Sequence, residues 1–201
     1  SFPDKCSPFL WVYPFKEYNE LNNGRLSKPY FEDRFIVNSI NAGFPLNTVI
    51  STDNFKKLID KNFSFEGINI VTPVPNSDDE INGLLIDYAK RGGNVIIYGS
   101  LVGADENLLE ALHLKAAEAI LGEAEAISYL TPDDVASNQS VNKVVYSTVN
   151  TDGGAAAILA DDIPEVLCKI KQNESERITG VAVPQSSGGE LVWIRGNLRE
   201  N

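Results

Sequence analysis

The sequence predicts an α/β protein built on an open, parallel, doubly wound sheet that is extended by a β-rich C-terminal part. Three observations predict it. Strand-like apolar runs alternate four times with amphipathic helical stretches over residues 1–115. One of those runs, NVIIYG at 94–99, is apolar without a break, the pattern of a strand covered on both faces. After Leu114, strand-like runs follow one another with few helical stretches between them.

The elements are justified in order. SPFLWVYPF contains a β-rich run from Phe9 to Phe15, read as a buried first strand and followed by the polar turn NELNNGRLS. Ser27 precedes Pro29 at a helix start, and Phe31, Phe35, Ile36 and Ile40 recur at helical spacing until Gly43 offers a stop. LNTVIS is the second strand, and Thr52 opens a short helix through Phe55, Leu58 and Ile59. EGINIVTPVP supplies the third strand, ended by Pro73 and Pro75 because proline cannot donate into a central ladder. Ser77 and Glu80 form a capping box, each side chain able to satisfy the other's orphan backbone N–H. Ile81, Leu84, Leu85 and Tyr88 then make one apolar stripe, and Gly92 and Gly93 end the helix before the fourth strand, NVIIYG.

Beyond Leu114, EAEAISYL, NKVVYSTVN, AAAILA, EVLCKIKQ, RITGVAVP and ELVWIRG read as short strands. TPDD, TDGG, QNESE and QSSGGE divide them, and Thr131, Pro132 and Asp133 open one small helical turn. No repeat, low-complexity tract or flexible linker intervenes. Residues 1–115 are therefore expected to form a parallel α/β core and residues 116–201 a β-rich extension of the same domain.

With 201 residues, 43% of them hydrophobic, the chain can fill a core. A formal net charge of −11 argues against nucleic acid or an anionic membrane as partner, since both require a dense cationic face. No apolar run of 18 or more residues occurs, and SFPDKCSPF has neither the basic nor the apolar region of a leader. A soluble chain without a targeting or membrane-inserting segment is expected, its compartment left open. The abrupt start and the lack of methionine suggest a processed product or a piece of a longer polypeptide. Cys6 and Cys168 form no C-x-x-C pattern and read as buried thiols. Sequons at Asn62, Asn138 and Asn173 are near chance in an Asn-rich chain.

Several residues invite a chemical reading. The turn after the fourth strand, YGSLVGAD, runs Gly99, Ser100, Leu101, Val102, Gly103, which is not the G-x-S-x-G of a nucleophile elbow. Gly99 and Gly103 could bare N–H groups to a phosphate, but no phosphate-loop or dinucleotide fingerprint is present, and Asp105 and Glu106 occupy the helix start. His113, the single histidine, lacks a second histidine for a metal site or triad and reads as a helix-end structural residue. The doublets Asp78-Asp79, Asp133-Asp134 and Asp161-Asp162 lack calcium-loop spacing, and the first two fall at helix starts, where the macrodipole accounts for them. A glycosidase-type carboxylate pair among them needs a separation that sequence does not measure. Trp11 and Trp193 sit in strong apolar runs and read as core rather than sugar platforms, with Tyr13, Tyr18, Tyr30 and Tyr129 freer.

INAGFPLNTVIS followed by FEGINIVTPVPNSDDEINGLLIDYAKRGGNVIIYGS resembles the class I glutamine amidotransferase-like fold, with its flavodoxin-like sheet. The likeness is strongest to the trimerisation domain of barrel-type bacterial β-galactosidases and related glycosidases, and LHLKAAEAILGEAEAISYL and GGELVWIRGN are similar to how those domains continue. Active members of the fold place a cysteine nucleophile in the turn after the strand that here reads NVIIYGS, partnered by a downstream histidine. Here that turn holds Gly99 and Ser100, Cys6 and Cys168 lie elsewhere, and His113 follows the strand too closely. The resemblance thus implies a non-catalytic accessory domain of a larger carbohydrate-active protein, serving oligomer assembly or active-site shaping. Its implied partners are a catalytic barrel of the same polypeptide or homo-oligomer subunits, with carbohydrate a candidate ligand and neither cofactor nor metal expected. The alternative is a stand-alone small-molecule or sugar-binding module using the C-terminal edge of the sheet, where open α/β folds hold ligands. Pro75, Asn76, Ser77, Gly99 and Ser100 are then the candidate ligand-edge residues. A hydrolase with an unconventional site is a third reading.

Overall fold

The computed structural model describes residues 9–13, 48–61, 67–75, 79–101, 103–129, 145–195 and 199–200. The helix expected from Ser27 to Gly43, the small turn at Thr131–Asp133, and Cys6, Tyr18, Tyr30, Asn62, Asn76, Ser77 and Asn138 lie outside them. In chain order the described elements are β1 (Phe9–Tyr13), β2 (Thr48–Ser51), α1 (Thr52–Asp60), β3 (Asn69–Pro73), α2 (Asp79–Lys90), β4 (Asn94–Tyr98) and α3 (Glu106–Ala111). Strands β5 (Leu114–Ser128), β6 (Val145–Leu159), β7 (Glu165–Gln172), β8 (Ser175–Pro184), β9 (Glu190–Ile194) and β10 (Arg199–Glu200) complete them.

All the described strands join one mixed sheet in the order β10-β6-β5-β7-β8-β9-β4-β3-β1-β2. An α/β sheet fold is what forms, but the sheet is not parallel throughout. Strands β2, β1, β3, β4 and β9 pair in parallel, whereas β8, β7, β5, β6 and β10 continue antiparallel. The last parallel strand, β9, comes from the end of the chain and sits between β4 and β8, so the two halves of the sequence meet in mid-sheet.

Local sequence explains the helices. Ser51 caps α1, its hydroxyl accepting the Asn54 N–H at 3.2 Å, with Asp53 in the first turn facing the positive end of the helix. In α2 the stripe faces the core: Ile81 and Leu85 are buried, Leu84 and Tyr88 are partly buried against them, and Tyr88 donates its hydroxyl to the Ile68 carbonyl at 2.7 Å. That helix stops where Gly92 turns to φ 101°, with the Gly92 and Gly93 N–H groups donating back to Ala89 and Tyr88.

Strand alternation then sorts the side chains. Leu10, Val12, Ile70, Val95, Ile97, Leu191 and Trp193 face one side and pack with Phe55, Ile81, Leu85 and Leu108 from the three described helices and with Leu112, the C-cap of α3. In this layer Ile97, Trp193 and Val181 stand side by side across three strands, as do Val95, Leu191 and Val183. Each fully buried side chain of this size contributes about 1.5–3 kcal/mol. On the other face Trp11, Val71 and Tyr98 form a separate buried cluster, Trp11 meeting Tyr98 edge-on at 5.7 Å. The described helices thus lie on one face only.

The antiparallel part differs from the sequence reading in two respects. The expected strands NKVVYSTVN and AAAILA, parted by a turn at TDGG, contribute VYSTVN and AAAIL to one continuous strand, β6. Its partner β5 is equally long and runs through LKAAEAIL, a stretch without strand signal. The pairing absorbs the irregularity through register shifts between Ala116 and Ile120 and between Ile120 and Gly122, where Gly122 adopts φ 84°. Glycines read as a break are here accommodated by bulges.

Candidate functional site

Where β4 ends, the chain must leave the sheet without breaking its tie to β9. Gly99, at φ 110°, does so: its N–H donates to the Ile194 carbonyl at 3.0 Å and its own carbonyl accepts the Trp193 indole N–H at 3.0 Å. Ser100 and Leu101 then rise from the sheet, and a turn through Gly103 at φ 77° is closed by the Ala104 N–H donating to Leu101. Asp105 caps α3, its carboxylate accepting the Asn107 N–H at 2.8 Å. After α3 the chain reverses at His113, a non-glycine residue at φ 54°, and enters β5.

This path leaves a cleft of about 330 Å³ beside the turn. One wall is the turn itself, with Ser100, Leu101 and Ala104; another is α3, with Glu106 and Leu109; the third is the start of β5, with Lys115 and Ala116. The floor is Ala157 of β6, Ile178 of β8, Trp193 of β9 and Arg195 just beyond it. Arg195 is only 9% exposed and is fixed by its backbone N–H, which donates to the Thr179 carbonyl at 2.8 Å. The cleft therefore lies where the parallel and antiparallel parts of the sheet join, with an apolar interior and few charged groups.

Of the residues expected at the ligand edge, Ser100 lines this cleft and Gly99 supports its floor through Trp193. Pro75 is elsewhere, its carbonyl accepting the Asn82 side-chain amide at 3.1 Å and so tying the end of β3 to α2. Arg195, Lys115, Ala116, Ala157 and Ile178 carried no local signal in the sequence; strand pairing alone brings them together.

The other chemical candidates have structural surroundings. His113 Nδ1 lies 2.8 Å from the Asp161 carboxylate, which also accepts the Ile163 N–H at 3.0 Å. The hydrogen bond from His113, then that from Ile163, holds Asp161 below the ordinary carboxylate range. Burial pushes the Cys168 thiol up, against a smaller opposing hydrogen bond from Thr179, which makes it a poor nucleophile at neutral pH. Trp11 and Trp193 are both core residues, and Lys169 lies 6.0 Å over the Tyr129 ring. Among the described residues no group of three or more His, Cys, Asp or Glu could hold a metal ion, and no helix is long and apolar enough to cross a membrane.

No protein-family model and no curated protein matches the sequence. Solved structures do. An exo-β-1,4-mannosidase from Opitutaceae bacterium strain TAV5 superposes on 96% of this chain with a TM-score of 0.56 at 12% identity, and this chain spans 31% of its length. A ThuA-like protein from Parabacteroides merdae superposes on 96% of this chain and 82% of its own, with a TM-score of 0.50 and 14% identity. A β-galactosidase from Bacillus circulans sp. alkalophilus aligns less fully, over 74% of this chain and 22% of its own, at a TM-score of 0.44 and 11% identity. At such identities the likeness to the first two is one of fold.

Proposed function

We propose that this chain is a catalytically inactive, amidotransferase-like accessory domain of a larger carbohydrate-active protein, serving oligomer assembly or the shaping of a neighbouring active site. The observation that carries the reading is coverage. Nearly the whole chain, 96%, superposes on less than a third of a mannosidase chain, the relation of a module to a multidomain enzyme. The parallel strand order β2-β1-β3-β4-β9 is that of a flavodoxin-like sheet, which supports the finer fold assignment. The turn after β4 offers Gly99 and Ser100 where an active relative would carry cysteine, and the one histidine is engaged with Asp161. The partners on this reading are a catalytic barrel of the same polypeptide or further copies of the chain.

Immunoblotting source cells with an antibody against this chain tests the proposal. A band far larger than 22 kDa supports it, and the remainder should then contain a glycosidase barrel. A native polypeptide of 22 kDa overturns it, as does glutamine hydrolysis abolished by Ser100→Ala. The second reading, a binding module working from the C-terminal edge of the sheet, is favoured by the cleft beside Ser100.

A further inference from the structure

We draw no further inference here: the strongest candidate, the apolar cleft between the turn after β4, α3 and β5, belongs to the site already described, and nothing in the structure shows what covers it.

Discussion

Trp193 donates its indole N–H to the carbonyl of Gly99 at 3.0 Å, across 94 residues of sequence. Because Gly99 also donates its N–H to Ile194, the turn leaving β4 is fastened twice to β9, and the cleft wall is held by that fastening. Trp193→Phe keeps an aromatic ring in the core but leaves the Gly99 carbonyl without its indole donor. The expected cost is about 1–3 kcal/mol, read as a lower urea midpoint at unchanged slope.

Two glycines should respond oppositely to alanine. At Gly189 a methyl group would come within 2.3 Å of the Ala89 carbonyl and 2.5 Å of the Gly93 carbonyl, both backbone atoms that cannot move aside. Gly189→Ala should cost about 2 kcal/mol or more. Gly83, exposed in the middle of α2, meets nothing within 4 Å, and Gly83→Ala should stabilise by about 0.5–1 kcal/mol. Thermal unfolding of the two variants beside the parent measures both signs.

Asp161 is held below its ordinary value of 3.8 chiefly by the hydrogen bond with His113. A carboxylate depressed on folding contributes stability that is fully present above its unfolded pKa and is lost as pH falls through the lower, folded one. Stability of the parent should therefore fall more steeply with acid, below about pH 4, than that of Asp161→Asn. Denaturant midpoints measured from pH 5 down to pH 2 give the two slopes; parallel curves would show that the pair does not contribute.

Ser51 supplies a single capping hydrogen bond to Asn54 at the start of α1. Ser51→Ala should cost about 1 kcal/mol, and Ser51→Asp should restore most of it, since aspartate caps equally well and also faces the positive end of the helix. Chemical denaturation of the three proteins decides this.

The features legible in the sequence were those encoded by near neighbours. The apolar stripe of α2 and the glycine stop behind it needed only residues a turn apart, and the apolar run of β4 announced its burial directly. Long-range pairing was not legible. LKAAEAIL is rich in helix formers yet becomes the first half of β5, because fifteen residues of β6 are available beside it and tertiary pairing outweighs intrinsic preference. The cleft was half visible for the same reason. Ser100 stands next to a glycine turn that the sequence displays, whereas Lys115, Ala157 and Ile178 come from separate strands, and Arg195 from just beyond a fourth, with no common spacing.

The placement of β9 has a consequence for biosynthesis. Strands β1 to β4 are complete once Tyr98 has been made, but the open side of β4 is filled only by residues 190–194, nearly a hundred positions later. Until the ribosome releases that segment, β4 carries a row of unmet backbone donors and acceptors, the kind of edge that recruits foreign strands. Closing the sheet therefore waits on a contact of long sequence separation, the kind that slows folding.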